Sequence, residues 1–288
     1  MSRRLSICGL ICATLCWAGV SSAQEIHVPA TVVAGEDASI STTGSGKATF
    51  YLQGPGVSRK SDVSLGEEIS LSSKELQKAG SYLAIVCSDS CRSGVFFVTP
   101  AKPASLSFLV HPSRVPVSLG DAVSGVAFPF DQFHNFVLVA GTINFQLTAG
   151  SASLLAREVR TQNGAAWFRT TSGKAAGPMQ VVATMGDISA RRVVQQVASE
   201  ACNLRIQGHP SPGGIFVETA PVHDCAGNSL PDGTVVTFTA AAADGKSTVD
   251  APIKQGIAHA QMAASGATVV SAASGVVMGN ELRLEAQR

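Results

Sequence analysis

From residue 24 onward the chain consists of short β-type runs separated by turn-forming residues. β-Branched and aromatic residues recur in these runs, with Gly, Pro, Asn, Asp and Ser between them, as is typical of strands joined by turns. The clearest runs cover residues 48–52, 105–110, 141–147, 235–239 and 281–286. The last run alternates with a period of two, which places Leu282 and Leu284 on one face of a strand. Only residues 73–79 have helical character, and Gly80 ends them, so we expect a single turn there in an otherwise all-β chain.

Composition limits the classes of partner. Hydrophobic residues make up 45% of the 288 residues, enough for packed cores, whereas charged residues make up only 14%. The 21 Lys and Arg residues nearly balance the 20 Asp and Glu residues, so the formal net charge is +1. Nucleic acids and anionic membranes select for a basic surface. The sequence therefore predicts neither a nucleic-acid partner nor a membrane-surface partner.

The first 23 residues have the pattern of a secretory signal peptide. Arg3 and Arg4 precede an uncharged run at 5–20, and small residues follow at 21–23. A transmembrane anchor is the alternative, but the run is shorter than the ~20 residues of a span. A lipoprotein is a second alternative, but large residues precede each cysteine of the segment. We predict cleavage after Ala23, no later membrane span, and a secreted, periplasmic or cell-surface location in a bacterium.

Four of the seven cysteines lie beyond this segment, namely Cys87, Cys91, Cys202 and Cys225. An even number in an exported chain favours disulfides. Proximity in sequence favours the pairs Cys87–Cys91 and Cys202–Cys225, because each pair then lies within one domain. A zinc site is the alternative, but neither pair has the two-residue spacing of a zinc knuckle.

Two seams divide the mature chain. Residues 99–103 contain two prolines, which interrupt a sheet, and residues 198–201 follow a long apolar run. Division of the chain at these two seams predicts structural units at 24–100, 104–199 and 201–288. Each is close to the ~100 residues of an immunoglobulin-like sandwich. The predicted fold class is therefore all-β, with tandem immunoglobulin-like β-sandwiches.

An internal repeat relates the last two units. The pair Asp131 and Asn135 recurs 93 residues later as Asp224 and Asn228, and Phe145 recurs at the same spacing as Phe238. Residues 163–166 and 255–258 match at a spacing of 92. An aspartate can accept hydrogen bonds from backbone N–H groups two residues on, while Asn or Gly tolerates the left-handed conformation.

We therefore assign structural turns to Asp131, Asn135, Asp224, Gly227 and Asn228. The runs that follow these turns should place alternate apolar side chains in a core. These are Ile143 and Phe145 in the second unit and Val236 and Phe238 in the third.

The segment 222–238, VHDCAGNSLPDGTVVTF, resembles the signature of bacterial group 1 immunoglobulin-like repeats, the stalk domains of invasin- and intimin-type adhesins. The family pattern is a strand, then Asp-x-x-Gly-Asn-Pro, a short spacer with Gly, and a strand ending in Thr-Phe. The chain departs from it at Ser229, where proline is usual, at the added Cys225, and at His134 in the second unit. The resemblance covers 104–288, and the first unit lacks the motif. It implies extracellular β-sandwiches arranged in tandem.

The first unit has a different feature. Residues 76–82 are similar to the run before strand F of immunoglobulin-like sandwiches, where a tyrosine pins the corner between strands E and F. Tyr82 is the candidate for that role. A buried tyrosine in an ordinary strand is the alternative.

No catalytic constellation is found in the sequence. There is no Gly-x-Ser-x-Gly elbow, and the six histidines are scattered singly. Asp224, Asn228 and Asp232 beside His223 could hold calcium, but their spacing is wider than that of a calcium loop. Trp167 alternates with Ala165 and is expected to be buried. The sequence therefore predicts no enzyme, no cofactor and no metal.

The predicted function is that of an exported, non-catalytic tandem protein, serving as a structural spacer or an adhesion module at the bacterial cell surface. The alternative is a soluble module that binds a glycan or a protein through loops at the end of a sandwich. The expected partner is another envelope or extracellular protein, or a glycan.

Overall fold

The structure is a computed structural model that describes residues 24–243 and 245–286. The predicted signal peptide, residues 1–23, lies outside the described residues. All regular structure in the described part is β-strand, as the sequence predicts. That part of the chain contains no helix long and apolar enough to cross a membrane. A division after Thr99 separates two compact units.

The first unit is a two-sheet sandwich, which we call sandwich 1. Its strands are β1 (Ile26–His27), β2 (Thr31–Val33), β3 (Ala38–Thr42), β4 (Lys47–Gly54), β5 (Val57–Ser64), β6 (Glu68–Leu71), β7 (Gly80–Cys87) and β8 (Cys91–Thr99). One sheet has the order β1-β3-β6 and the other the order β2-β8-β7-β4-β5. All neighbours are antiparallel except β2, which runs parallel to β8. Residues 73–76 form the single turn expected from the sequence.

Tyr82 is a tyrosine corner. Its ring is fully buried on β7, and its hydroxyl donates to the carbonyl of Lys78 over 2.8 Å. Lys78 lies in the connection between β6 and β7, so the hydroxyl pins that connection to the strand it enters. Burial raises the pKa of Tyr82, which keeps the hydroxyl protonated as the donor. The ring leaves no room for a side chain at Gly54, where an added Cβ would clash with Cδ1 of Tyr82.

We expect Tyr82→Phe to lower the unfolding free energy of the first unit by about 1–1.5 kcal/mol, because the Lys78 carbonyl loses a buried partner. Calorimetric unfolding of the whole chain measures the change. Tyr51→Phe is the matched control, since Tyr51 is 37% exposed, and it should change little. If the two substitutions lowered the unfolding free energy equally, this would contradict the role of Tyr82 as a tyrosine corner.

The N-terminal half of the second unit, sandwich 2, repeats this topology. Its strands are β9 (Ser105–His111), β10 (Arg114–Pro116), β11 (Val123–Phe130), β12 (Thr142–Ala149), β13 (Ala152–Arg160), β14 (Ala166–Thr170), β15 (Gly177–Met185) and β16 (Ile188–Val197). The sheets have the orders β9-β11-β14 and β10-β16-β15-β12-β13, and β10 runs parallel to β16. Ile143 and Phe145 are fully buried in its core, which confirms their predicted role.

The C-terminal half, sandwich 3, has its own hydrophobic core. Its strands are β17 (Ala201–Asn203), β18 (Ile206–Ser211), β19 (Gly214–Thr219), β20 (His223–Asp224), β21 (Val235–Ala242), β22 (Gly245–Pro252), β23 (His259–Met262), β24 (Gly266–Ser274), β25 (Val277–Met278) and β26 (Leu282–Ala286). The sheets are β18-β19-β23, the short pair β17-β20, and β22-β21-β24 with β25 and β26 both on β24. Val236 and Phe238 are fully buried, as predicted.

The repeat at 163–166 and 255–258 is a tight turn in both sandwiches. Asn163 and Gly164 have φ of 49° and 77°, and Gln255 and Gly256 have φ of 51° and 84°. Two successive positive φ values define a type I′ turn, the two-residue turn that matches the twist of a hairpin. The spacing found in the sequence therefore marks equivalent turns, each closed by one isolated bridge, which lead from β13 to β14 and from β22 to β23. The second unit keeps both cores in one compact body, so the predicted boundary at 199–201 stays a prediction.

Candidate functional site

Asp131 organises the turn after β11. Its side chain is 1% exposed and accepts hydrogen bonds from the backbone N–H groups of Phe133 (2.9 Å) and Asn135 (2.8 Å). Nδ2 of Asn135 donates to it over 2.8 Å, and the N–H of Ala101 donates over 2.9 Å. Ala101 lies in the segment that enters sandwich 2. One carboxylate therefore holds the turn and the entry segment together.

Asp224 makes the same set of bonds in sandwich 3. It is 4% exposed and accepts from the N–H groups of Ala226 and Asn228, each over 2.9 Å. Nδ2 of Asn228 donates to it over 3.0 Å, and the N–H of Ser199 donates over 3.0 Å. Ser199 lies in the segment between β16 and β17. Each aspartate thus joins its turn to the segment that precedes its own sandwich.

The charge of both aspartates is stabilised by these donors. Burial disfavours the charged form, but the hydrogen bonds from backbone N–H groups and from the asparagine amide outweigh it. The pKa of each carboxyl is therefore held below its usual range. Because donors occupy both oxygens of each carboxylate, we interpret the two residues as structural anchors.

The third residue after each aspartate has a left-handed backbone. Gly227 has φ of 85° and His134 has φ of 62° at the equivalent position. Glycine adopts this conformation without cost, whereas a side chain costs about 1–2 kcal/mol. His134, the departure noted in the sequence, therefore occupies a position that favours glycine.

We expect His134→Gly to raise the unfolding free energy of the second unit by about 0.5–1 kcal/mol, after subtraction of glycine's greater chain entropy. Chemical denaturation of the whole chain measures the gain. His134→Ala keeps the Cβ and should give no gain. The same stabilisation in both variants would mean that the backbone strain is not the cause.

Asn228 also contacts the preceding sandwich. Its Nδ2 donates to the carbonyl of Lys174 over 2.8 Å, and its Oδ1 accepts from the N–H of Ala176 over 2.7 Å. Both partners lie in the loop between β14 and β15 of sandwich 2. One amide thus bonds to the backbone of this loop at two points.

Gln196 on β16 also forms hydrogen bonds to the loop between β14 and β15. It is 1% exposed on β16, its Oε1 accepts from the N–H of Gly173, and its Nε2 donates to the carbonyl of Ala175 over 3.1 Å. A continuous set of bonds therefore runs from β16 through residues 173–176 to Asn228, Asp224 and Ser199. We call this set the joint network.

The four cysteines among the described residues form two disulfides. Cys202 and Cys225 are bonded where β17 pairs with β20, one residue beyond Asp224, so this bridge reinforces the joint network. Cys87 and Cys91 are bonded across the hairpin of β7 and β8, where they face each other in register.

The four residues of the calcium hypothesis do not form one site in the structure. Asp224 and Asn228 lie together, but Asp232 accepts the N–H of Gln255 over 2.7 Å, and Nδ1 of His223 lies 3.1 Å from the carbonyl oxygen of Pro221. Within residues 24–243 and 245–286, no group of three His, Cys, Asp or Glu side chains is arranged to hold a metal ion.

The expectation that Trp167 is buried is wrong. Trp167 is 65% exposed on β14, while its neighbours Ala166 and Phe168 face the core. Its cross-strand neighbour is Val126 on β11, and Leu109 on β9, which is 59% exposed, lies opposite Val126 on the same outer face. Alternation was the right rule, but the sequence could not tell which face of the strand meets the core.

Solved structures share this architecture. The structure of FdeC, an Escherichia coli adhesin, matches with a TM-score of 0.61 at 14% identity, over 91% of this chain and 96% of that chain. Invasin, a bacterial integrin-binding protein, matches with a TM-score of 0.50 at 9% identity, over 92% of this chain and 60% of that chain. No protein-family model and no curated protein sequence matches the chain. The chain therefore has the tandem immunoglobulin-like fold of these bacterial adhesins, and the resemblance to that class is confirmed for the fold.

Proposed function

We propose that the chain is an exported, non-catalytic protein of three immunoglobulin-like sandwiches, at 24–100, 104–199 and 201–288, that serves as a structural spacer or adhesion module at the bacterial cell surface. The residues that resemble adhesin stalk repeats and the fold shared with FdeC and invasin support this role. The disulfides support an oxidising compartment.

The joint network is the observation that carries the proposal. A spacer has to resist bending between its sandwiches, and a joint made only of a flexible linker does not. Here the side chains of Asp224 and Asn228 bond to the linker at Ser199 and to the loop of sandwich 2 at Lys174 and Ala176. These bonds connect the two cores through fixed backbone groups, which limits their relative motion.

Hydrogen exchange tests the joint in the whole chain. Asn228→Ala removes the acceptor of the Ala176 N–H, and we expect exchange of that amide to accelerate at least about tenfold, as loss of a bond worth about 1.5 kcal/mol implies. Asn280→Ala is the matched control, because Asn280 clamps Ile206 at two points within sandwich 3. This control substitution should leave the exchange rate of the Ala176 amide unchanged. If the Ala176 amide exchanged at an unchanged rate in the Asn228→Ala variant, the basis for a stiff joint would be removed.

Export and surface location need a separate measurement. The expected result is a mature N-terminus at Gln24 and recovery of the protein from the periplasm, the cell surface or the medium. N-terminal sequencing after cell fractionation provides it. Recovery of the full chain from the cytoplasm, with Met1 present, would contradict export.

A second function is favoured by one observation, the exposure of Trp167. Exposed aromatic rings are frequent in binding surfaces, and Trp167 shares the outer face of its sheet with the exposed Leu109, with Val126 between them. On this alternative the chain binds a glycan or a protein through a sheet face of sandwich 2, and not through the loops expected from the sequence. Glycan-array binding that Trp167→Ala abolishes would favour it. Phe97→Ala, at a ring 54% exposed in the first unit, is the control.

A further inference from the structure

The larger sheet of sandwich 1 has an apolar outer surface. Tyr51 on β4 and Val95 and Phe97 on β8 point away from the core and are 37%, 52% and 54% exposed. Leu83 and Ile85 on β7 alternate with buried residues, so they also point outward, and they are half-buried. We call these five residues the apolar face.

The residues of the apolar face are neighbours in the sheet. Leu83 lies opposite Val95, and Ile85 lies opposite Tyr51. Residues opposite one another on one face of an antiparallel pair have Cβ atoms only about 5 Å apart. Val95 and Phe97 are two residues apart on β8, so both side chains project from the same side of that strand. The apolar face is therefore continuous across β4, β7 and β8, the three middle strands of the sheet.

Sandwich 2 has glutamine at three of the five equivalent positions. Its larger sheet has the same strand order, and Gly177 begins β15 as Gly80 begins β7, which aligns the two registers. The positions of Tyr51, Leu83 and Phe97 are then those of Gln146, Gln180 and Gln195. The same fold thus accepts a polar surface here, so stability of the sandwich does not require the apolar residues. Exposed apolar patches of this kind mark interaction sites.

The charge of this surface favours a partner of the same kind. The outward residues of β2, β7 and β8 are all uncharged. The charged outward side chains of the sheet lie at its other side, on β4 and β5, and are Lys47, Lys60 and Asp62. Both signs are present there, so two copies of this surface do not meet as two blocks of like charge. A strongly charged partner, in contrast, would find no opposite charge at the centre of the apolar face.

The sheet is also large enough for a reversible dimer. Its strands β4, β5, β7 and β8 have eight or nine residues each. With strands about 4.8 Å apart and a rise of about 3.4 Å per residue, these four strands present a surface of about 500 Å² in projection. Weak and transient protein interfaces bury less than about 600 Å² per partner. The available surface therefore matches an association of modest affinity.

We propose that two copies of the chain associate through the apolar face of sandwich 1, each contributing Leu83, Val95 and Phe97 to the interface. Both copies use the same surface, so the contact has twofold symmetry and is complete with two chains. A second copy is the partner because an uncharged apolar surface is complementary to itself, and its burial removes apolar area from water. The association goes beyond the spacer role, because it joins two tandem proteins through their first sandwiches.

Sedimentation velocity of the whole chain over a range of concentrations tests the association. We expect a monomer at about 1 μM and a dimer at several hundred μM, with a dissociation constant on the order of 10–100 μM. Leu83→Gln combined with Phe97→Gln introduces the residue type that sandwich 2 has at these positions. This double variant should raise the dissociation constant at least about tenfold, because the interface loses two apolar side chains.

A pair of single substitutions provides the matched control. Val95 is 52% exposed in sandwich 1, and Val193 is 54% exposed at the equivalent position of sandwich 2. Val95→Gln should raise the dissociation constant at least about threefold, since one apolar side chain of the interface is replaced. Val193→Gln makes the same chemical change outside the apolar face, and this variant should dimerise like the unmodified chain.

Amide chemical shifts of the unmodified chain locate the contact without any substitution, so this measurement does not depend on whether a variant folds. Concentration-dependent shifts concentrated in β4, β7 and β8 would support the proposal. A chain that stays monomeric up to about 1 mM, equal effects of Val95→Gln and Val193→Gln, or shifts confined to residues 104–286 would overturn it. Growth beyond two chains would also overturn it, because a twofold contact is complete with two. Hydrogen exchange at Ala176 does not report on the apolar face, so this proposal and the stiff joint fail separately.

Discussion

Asp224→Asn is expected to lower the unfolding free energy of the second unit by about 3–5 kcal/mol. The substitution keeps the shape but removes the charge and turns one of the two acceptor oxygens into an NH2 group whose N–H bonds face other donors. Ser199, Ala226 and Asn228 would then lose charge-assisted bonds in a buried site, each worth about 1.5–3 kcal/mol. Chemical denaturation of the whole chain measures the loss.

Asp232→Asn is the control for this prediction. Asp232 lies near Asp224 in sequence, but it is exposed and its carboxylate accepts the N–H of Gln255. We expect its replacement to cost less than about 0.5 kcal/mol, the usual range at an exposed site. Similar losses in the two variants would mean that the buried donors of Asp224 are not the cause.

The pH dependence of the unfolding free energy provides a second test of the role of Asp224. The folded pKa of Asp224 and Asp131 lies below the unfolded value near 3.9, so their contribution is complete above that value. It is lost as the pH falls through the folded pKa, at up to about 1.4 kcal/mol per pH unit for each carboxylate. Asp224→Asn should therefore flatten the decline in stability below about pH 4. If stability below about pH 4 declined as steeply in Asp224→Asn as in the unmodified chain, this would contradict the charged, hydrogen-bonded state of Asp224.

Removal of the Cys202–Cys225 disulfide is expected to lower the unfolding free energy by about 3 kcal/mol, because the bridge closes a loop of 23 residues in the unfolded chain. The double variant Cys202→Ser, Cys225→Ser tests this by chemical denaturation. The loss should be accompanied by faster hydrogen exchange in β17 and β20, which the bridge holds together.

The other disulfide provides the comparison. Cys87 and Cys91 are separated by 4 residues, so the same chain-entropy argument gives only about 2 kcal/mol for their removal. The change should appear in the first unit and leave β17 and β20 unaffected. A larger loss at this short hairpin bridge than at Cys202–Cys225 would contradict loop closure as the main effect.

Much of the fold could be predicted because it depends on local pattern. Period-two alternation identifies strands whatever they pack against, and this places Phe145 and Phe238 in cores. The repeat at Asp131 and Asp224 marks turns because a short carboxylate satisfies nearby backbone N–H groups. The corner at Tyr82 also has a local signature, since the hydroxyl reaches a carbonyl four residues upstream.

Most partners of the candidate site could not be predicted. Ala101, Ser199 and Ala176 contribute backbone N–H groups, which every residue except proline has, so their types carry no signal. Gln196 is a polar residue at a core-facing position of β16, two residues after the buried Val194, and only that position in the alternation could have marked it. Trp167 shows the limit of alternation, since a one-residue shift exchanges the buried and exposed faces of a strand.

The sequence alone determined the strands, the turns at Asp131 and Asp224, and the all-β class, because these follow from side-chain spacing over a few residues. Only the tertiary structure decided which distant backbone groups those aspartates bind and that Trp167 faces solvent. These features depend on how strands far apart in the chain are brought together. The physical reason is that main-chain hydrogen bonds and the choice of buried face are set by pairing and packing, and residue identity does not specify them.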